Sequence, residues 1–142
     1  MTQILSTIHQ AQHSIDVAAY NFTSRPVAEA LRTASRRGVV VRIVADEKDN
    51  GGKYSAITWM HRQGLSVRLN GQYAIQHNKF MVIDGVTTQT GSANYTSSAE
   101  KRNAENVIVV HNHPATAYAY QQEFNRLWHE SIPPKDSLTT AR

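Results

Sequence analysis

The sequence predicts an α/β domain with a mixed, mostly parallel β-sheet and helices on both of its faces. Apolar segments with strand character alternate along the chain with amphipathic helical segments, an order typical of parallel sheets. Residues 39–45 form a nearly continuous β-branched run, which is typical of a strand buried on both faces. The 142 residues contain no internal repeat and no linker, so we expect a single domain over 1–142.

The first third of the chain predicts a helix, a strand and a second helix. Apolar residues recur at helical spacing over 2–13, which predicts an amphipathic helix. Residues 14–22 have the apolar composition of a strand. Pro26 fits the first turn of a helix and Gly38 fits its end, so a helix is predicted over roughly 26–37.

The middle of the chain begins with a polar segment, 46–52, whose two glycines indicate a loop. A helix is predicted over about 53–63, ending at Gly64. Residues 65–69 predict a short strand, and Asn70-Gly71 is a strong signal for a tight turn.

The remainder of the chain predicts two further strands and a final helix. The strands are expected over 79–83 and 105–110. Pro114 fits the start of a helix that continues to about His129. We expect the tail, about 131–142, to be frayed.

The composition indicates a globular protein with an anionic partner. A formal net charge of +4 and an isoelectric point of about 9.6 favour nucleic acid. The absence of cysteine excludes disulfide and thiolate chemistry. No apolar run approaches the ~18 residues of a membrane span, and the amino terminus lacks the layout of a signal peptide. We expect a cytoplasmic protein, or a periplasmic or secreted one if a signal peptide has been removed.

The stretch 76–107 contains polar residues at a distinctive spacing, H-x-K-x4-D-x6-G-S-x-N. The six specified positions are His77, Lys79, Asp84, Gly91, Ser92 and Asn94. Six residues at fixed offsets rarely coincide by chance, so this stretch is the most informative part of the sequence.

These residue types form a set that can bind phosphate. His77 and Lys79 are two positions apart, so on a strand their side chains project to the same face. Gly91, Ser92 and Asn94 indicate a tight loop that aims a hydroxyl and an amide at a shared anion. A nucleophile or base, a cation and neutral donors can stabilise the transition state of phosphodiester cleavage with side chains alone. We therefore predict no cofactor and no obligatory metal.

This motif resembles the HKD signature of the phospholipase D superfamily at every defining position. The single copy and the short chain look like the small bacterial endonuclease branch, the Nuc type. The resemblance covers about residues 4–130, including the stretch 20–23 and the strand end 41–47. It implies one half of a phospholipase D-like fold and phosphodiester hydrolase activity. Family members usually have a further strand before the first helix, whereas this sequence begins almost at the helix.

The resemblance also implies a mechanism and an assembly. Cleavage needs a nucleophile on one side of phosphorus and an acid on the other, which the family supplies with two HKD copies. A single copy implies a homodimer with a two-fold axis through a shared active site. His77 of one chain would form a phosphohistidine while His77 of the other protonates the leaving oxygen. Glu105 matches the family acid that holds the nucleophilic imidazole, whereas Asp84, at the turn with Gly85, and Gly91 are expected to be structural.

Other charged residues support less specific predictions. Four basic residues are candidates for binding flanking phosphates, namely Lys48, Lys53, Lys101 and Arg102. Three pairs have side chains of metal-ligand type, namely His9 with His13, His111 with His113, and Glu47 with Asp49. We interpret these pairs as surface and loop residues, because no further ligand stands beside the histidines and a solvated loop accounts for the acidic residues.

Three functional hypotheses follow. The first is an endonuclease that hydrolyses DNA, with RNA as a further substrate, and has little sequence preference. The second keeps the same chemistry but acts on a phospholipid such as cardiolipin, although the sequence lacks a basic, aromatic-rich membrane face. The third is a non-catalytic nucleic-acid-binding homologue, which would not need His77, Lys79, Asn94 and Glu105 together.

Overall fold

A computed structural model describes residues 1–52 and 55–135 of the chain. The helices in these residues are α1 Thr2–Gln10, α2 Arg25–Arg36, α3 Ala56–Arg62, α4 Ser97–Lys101 and α5 Pro114–His129. The strands are β1 Ser14–Ala19, β2 Val40–Asp46, β3 Ser66–Asn70, β4 Phe80–Ile83, β5 Thr87–Gly91 and β6 Val107–Val110. Lys53, one of the residues predicted to bind phosphate, lies outside the described residues, as does the tail from residue 136 onward.

The strands form one mixed sheet in the order β3-β2-β1-β4-β5-β6. β1 pairs in parallel with β2, and β2 pairs in parallel with β3. The pairings of β1 with β4, β4 with β5 and β5 with β6 are antiparallel. The α/β class and the mixed sheet are therefore confirmed, but antiparallel pairings outnumber parallel ones within the described residues. One of these antiparallel pairings follows from the connection at residues 84–86, which is too short to join β4 and β5 in any other direction.

Helices cover both faces of the sheet, as predicted. On one face, α1, α2 and α3 pack apolar side chains such as Ile8, Leu31 and Met60 against residues of β1 and β2. On the other face, α5 packs against the alternate residues of the same strands. The α5 side of the contact consists of Ala117, Phe124 and Leu127, and the sheet side of Ala18, Val44, Phe80 and Val82.

An ion pair with a buried carboxylate and a half-buried arginine lies on the α5 face of the sheet. The carboxylate of Asp16 in β1 accepts hydrogen bonds from Arg42 Nε at 2.8 Å and from Arg42 Nη2 at 3.0 Å. Gln121 Nε2 of α5 donates to the same carboxylate at 2.7 Å. Asp16 is 4% exposed, so these three bonds compensate a charge that is removed from water.

Asp84 connects the start of the fold to the β4–β5 turn. Its Oδ1 accepts hydrogen bonds from the backbone N–H groups of His13 at 2.7 Å and Ser14 at 3.0 Å. Its Oδ2 accepts from the N–H of Gln12 at 3.0 Å. Asp84 thus holds the α1–β1 connection as well as occupying its own turn, where it and Gly85 have positive φ angles of 56° and 69°.

The structure differs from the predicted elements in three places. The sequence does not predict β5, because Thr87–Gly91 contains no apolar side chain even though Thr88 and Gln89 are buried. The short helix α4 is also absent from the predicted elements; its cap, Thr96, accepts a hydrogen bond from the N–H of Ala99. Ile132, in the part of the predicted tail that the structure describes, pairs with β3, where its N–H donates to the carbonyl of Leu69 at 3.0 Å.

Candidate active site

The predicted site residues meet at one edge of the sheet. β1 and β2 end at this edge, β5 also ends there, and β4 and β6 begin there because they run in the opposite direction. His77 and Lys79 precede β4, Ser92 and Asn94 follow β5, and Glu105 precedes β6. The antiparallel half of the sheet therefore brings together residues that are separated by up to 28 positions in the sequence.

His77 and Lys79 lie in the extended segment just before β4, and not on the strand itself. Their side chains are nevertheless on one side of the chain. Lys79 Nζ is 3.3 Å from Nδ1 and 3.2 Å from Nε2 of His77, and it donates to the carbonyl of His77 at 3.0 Å. The imidazole also packs against the ring of Tyr20, with centroids 4.8 Å apart and planes inclined by 62°. His77 is thus held by two neighbours while it remains exposed to solvent.

Lys79 and Glu105 interact electrostatically across the site. Burial lowers the pKa of Lys79 below its usual 10.5, and the charge of Glu105 partly opposes this effect. The pKa of Glu105 is lowered from 4.5, first by the hydrogen bond from Ser92, then by that from Asn103, with a smaller contribution from Lys79. Glu105 is therefore ionised at neutral pH.

Ser92 is engaged with Glu105. Its Oγ donates to Glu105 Oε1 at 2.6 Å and accepts from the N–H of Asn106 at 3.0 Å. Asn103 Nδ2 donates to the other oxygen, Oε2, at 3.2 Å. The hydroxyl that was expected to face a bound anion thus points at a carboxylate of its own chain. The geometry makes Ser92 a partner of Glu105, and leaves Asn94 as the neutral side chain of the loop that can face a ligand.

The loop that carries Asn94 is anchored by the residue after it. Tyr95 is fully buried, and its hydroxyl donates to Gln89 Oε1 at 2.7 Å. Its carbonyl accepts from the N–H groups of Thr23 at 2.9 Å and Ser24 at 2.8 Å, which ties the loop to the segment between β1 and α2. Asn94 Oδ1 is buried without a hydrogen-bond partner among the described residues. Asn94 therefore has a fixed backbone and an amide whose bonding is incomplete.

Gly91 is required by a close approach of two backbones. Its φ angle is +148°, and a Cβ atom at this position would lie 2.2 Å from the carbonyl oxygen of Asn106. The same oxygen accepts a hydrogen bond from the N–H of Ser92 at 3.1 Å. The glycine of the motif thus allows the Ser92 and Glu105 segments to lie side by side.

Three buried polar residues below the site are not identifiable from the sequence. Asp46 Oδ1 accepts from the N–H of Gln76 at 2.7 Å, and Gln76 Nε2 donates to the carbonyl of Ala19 at 2.9 Å. Asn50 Nδ2 donates to the carbonyl of Asp46 at 2.8 Å and also to that of Tyr20. All three are at most 2% exposed. Their only sequence signal is a position near the end or the start of a strand, in segments with the polar composition of a solvated loop.

The remaining basic candidates are exposed near this edge. Lys48 lies in the turn after β2, and Lys101 and Arg102 lie at the end of α4, shortly before Glu105. The structure gives these three residues no ion pair within its described part. Their role in phosphate binding stays a prediction.

The histidines and acidic residues do not assemble into a metal site within residues 1–52 and 55–135, where no three His, Asp or Glu side chains are grouped so that they could hold an ion. His113 instead caps α5, where its Nδ1 accepts from the N–H of Thr116 at 3.3 Å.

No helix in the described part of the chain has the length and apolar character needed to cross a bilayer.

Comparison with known proteins gives a family match over most of the chain. Residues 4–128 match the family model described as "Cardiolipin synthase, PLD-like domain". A mitochondrial cardiolipin hydrolase from Xenopus tropicalis is 33% identical over 132 residues, which are 93% of this chain and 62% of that protein. A phospholipase D from Rickettsia felis is 36% identical over 123 residues, 87% of this chain and 62% of that protein. This chain thus spans less than two thirds of the length of these relatives.

Solved structures of similar length share the fold. Nuc from Salmonella typhimurium, described as a phospholipase D family member, has a TM-score of 0.91 and 36% identity, and the match covers 94% of this chain and 90% of that one. NucT from Helicobacter pylori has a TM-score of 0.84 and 25% identity, with coverage of 92% and 88%. Together with the site geometry, these matches establish the family. The chain belongs to the phospholipase D-like family, as its single HKD motif predicted.

Proposed function

We propose that this protein is a metal-independent phosphodiesterase that hydrolyses nucleic acid, DNA in the first place, with little sequence preference. The observation that supports this most directly is the contact of Lys79 Nζ with the imidazole of His77, 3.2 Å from Nε2, at the sheet edge that also carries Asn94 and Glu105. This arrangement combines a nucleophile, a cation and an amide around the space that a phosphate would occupy. Such groups contact the backbone of a nucleic acid, which carries no base sequence information.

The reaction proceeds in two displacements. A nitrogen of His77 attacks phosphorus, a phosphorus–nitrogen bond forms, and the bond to the leaving oxygen breaks as that oxygen takes a proton from a second histidine. Water then gives a proton to the second histidine and attacks phosphorus, which breaks the phosphorus–nitrogen bond and restores both imidazoles. Lys79 stabilises the charge of the non-bridging oxygens in both steps, a role that a metal ion has in many other phosphoryl-transfer enzymes.

The remaining site residues position these groups. Asn94 donates from its amide to a non-bridging oxygen, because its loop follows β5 at the sheet edge that also carries His77 and Lys79. Ser92 holds Glu105 through its 2.6 Å hydrogen bond. Within one chain, the described hydrogen bonds of Glu105 go to Ser92 and Asn103 and not to His77. We therefore assign the expected contact between this carboxylate and an imidazole to a pair of chains.

A two-fold homodimer with a shared active site completes this scheme. One chain supplies one HKD motif, and hence one histidine, whereas the reaction uses two. A two-fold axis at the His77 edge would place the second imidazole opposite the first and would bring each Glu105 toward the other chain. Lys48, Lys101 and Arg102, all exposed, would then extend the basic surface for flanking phosphates.

Cleavage of supercoiled plasmid in excess EDTA tests the chemistry. We expect the wild type to nick the plasmid, His77→Ala to be inactive, and His111→Ala to be active, because His111 follows the far end of β6. Trapping of a phosphorylated imidazole in the wild type, but not in His77→Ala, would identify the intermediate. Complete loss of wild-type cleavage in EDTA, restored by Mg²⁺, would refute the proposal, as would a fully active His77→Ala.

Mixing of subunits tests the shared site. Wild-type and His77→Ala chains carrying different tags are refolded together in equal amounts. If each site needs two histidines, only wild-type homodimers are active, and about a quarter of the wild-type activity remains. Independent sites would leave about half. A value near half would exclude the shared site while leaving the nucleophile assignment intact.

The second candidate is hydrolysis of a phospholipid by the same residues. The names of two relatives, mitochondrial cardiolipin hydrolase and phospholipase D, favour it. Vesicles of cardiolipin and of phosphatidylcholine, assayed beside plasmid and single-stranded oligonucleotides, separate the two substrates. Lipid turnover without nucleic acid cleavage would replace the first candidate with the second. Nucleic acid binding without turnover of any substrate would favour a non-catalytic homologue.

A further inference from the structure

We infer that Tyr20 is a positioning residue for His77, whose ring holds the imidazole in the orientation from which it reacts. The inference rests on the proposed function, because it assumes that His77 is the nucleophile. Tyr20 follows β1 directly and is half-buried at the same sheet edge.

The contact between the two rings has a defined geometry. The centroids of Tyr20 and His77 are 4.8 Å apart and the planes are inclined by 62°, an edge-to-face arrangement that aromatic rings prefer. Lys79 Nζ lies 5.9 Å from the centroid of the same Tyr20 ring. One aromatic ring thus contacts the nucleophile and lies beside the cation. Without a neighbouring ring, an exposed histidine would sample several rotamers, and only some of them direct a ring nitrogen at phosphorus.

Buried amides fix the two chain segments that make this contact. Asn50 Nδ2 donates to the carbonyl of Tyr20, and Asn50 Oδ1 accepts from the N–H of Phe22 at 3.1 Å. On the other segment, Gln76 Oε1 accepts from the N–H of Asn78 at 2.9 Å, so the residues on both sides of His77 are bonded to each other. Gln76 Nε2 donates to the carbonyl of Ala19 at 2.9 Å, which ties the histidine segment to the tyrosine segment. The position of the ring is therefore set before any substrate binds.

The ring, and not the hydroxyl, makes the contact with His77. Within the described residues, the structure contains no hydrogen bond of the Tyr20 hydroxyl with His77 or Lys79. Phenylalanine would therefore preserve the interaction, and an aliphatic side chain would lose its aromatic geometry.

The experiment compares Tyr20→Phe, Tyr20→Leu and the control Tyr118→Leu, with kcat and KM measured on the substrate that the wild type cleaves. Tyr118 is an exposed tyrosine of α5, 64% accessible. We expect Tyr20→Phe and the control to keep wild-type kcat within about twofold, and Tyr20→Leu to lose about 10-fold to 100-fold in kcat with little change in KM. An unchanged kcat in Tyr20→Leu would overturn the inference. A raised KM with unchanged kcat would also overturn it, because Tyr20 would then bind substrate.

A second measurement does not depend on turnover. The ring-proton resonances of His77, assigned with His77→Ala, report the neighbouring aromatic ring. We expect them to keep their positions in Tyr20→Phe and to move in Tyr20→Leu, and wild-type positions in Tyr20→Leu would show that the rings are not in contact. If the wild type cleaves no substrate, the proposed function fails, whereas the resonances still decide the contact. Thermal unfolding of each variant checks the fold, and Tyr20→Met replaces Tyr20→Leu if the latter does not fold.

Discussion

Gly91 offers the sharpest test of the site geometry. An alanine Cβ there would lie 2.2 Å from the carbonyl oxygen of Asn106 and 3.0 Å from the Cα of Val107. Both obstacles are backbone atoms at the start of β6, so they cannot rotate away as a side chain could. Gly91→Ala should therefore separate β5 from β6 at the point where Ser92 holds Glu105.

The expected loss of stability has two parts. A positive φ costs an L-residue about 1–2 kcal/mol. Forcing an extra methyl group into packed structure typically costs about 1–3 kcal/mol more. We therefore expect Gly91→Ala to lower the free energy of unfolding by about 2–5 kcal/mol. For a domain of this length the melting temperature would fall by about 6–15 °C.

Urea and thermal unfolding measure this loss, and Gly38→Ala is the matched control. Gly38 also has a positive φ, +99°, but among the described residues, its two chain neighbours apart, no atom lies within 4 Å of the position that an alanine methyl group would occupy. Gly38→Ala therefore introduces the backbone strain of a positive φ without a steric clash. Its free energy of unfolding should fall by only about 1–2 kcal/mol. If Gly91→Ala lowers the free energy of unfolding no more than Gly38→Ala does, the two backbones do not approach each other as closely as we infer.

Three further predictions concern charges. Asp84→Asn should lower the free energy of unfolding by about 1–3 kcal/mol at pH 7. Burial tends to raise the pKa of Asp84, but the backbone N–H groups bonded to the carboxylate lower this pKa overall from 3.8. The carboxylate therefore stabilises the fold fully above pH 3.8, and urea unfolding should show that the difference between the variant and the wild type shrinks as the pH falls below this value. Glu105→Gln should lower the pKa of Lys79 further, because Glu105 is the charge that raises it, and an NMR titration of the Lys79 Cε resonance would contradict this if the pKa rose or stayed constant. Arg42→Met should lower the free energy of unfolding by about 3 kcal/mol, because it leaves the buried Asp16 carboxylate without its cation. The double variant Arg42→Met/Asp16→Asn should recover part of this loss in the same unfolding assay.

The sequence was sufficient to predict the fold class and to single out candidate site residues that lie at one edge of the sheet. His77 and Lys79 are recognisable because their types and spacing are unusual, and their side chains are in contact in the structure. The 39–45 run and the placement of Pro26 and Gly38 predicted a strand and a helix to within one or two residues. Such signals are local, and local patterns can be interpreted from one sequence.

The residues that position the site could not be predicted in this way. Asp46, Asn50 and Gln76 are polar residues in segments that resemble loops, and their burial depends on which strands are neighbours in the sheet. The strand β5 was missed for a related reason, since Thr88 and Gln89 fill buried positions that are normally apolar. Long-range pairing decides both cases, and a single sequence has no local signal for it.

His77 is exposed whereas the amides beneath it are buried, so substitutions of the two kinds should have different effects on stability and turnover. His77 is exposed and contacts Tyr20 and Lys79, so His77→Ala should abolish turnover and leave the melting temperature close to that of the wild type. Asn50 is 1% exposed and bonded to the Tyr20 and Asp46 carbonyls and to the Phe22 N–H, so Asn50→Ala leaves buried backbone groups unpaired, at about 1–3 kcal/mol each. Asn50→Ala should therefore lose stability and turnover together, although none of the described hydrogen bonds of Asn50 goes to His77. Differential scanning calorimetry and the plasmid assay on the two variants measure this contrast. A fully active and stable Asn50→Ala would mean that the site does not depend on the buried amides beneath it.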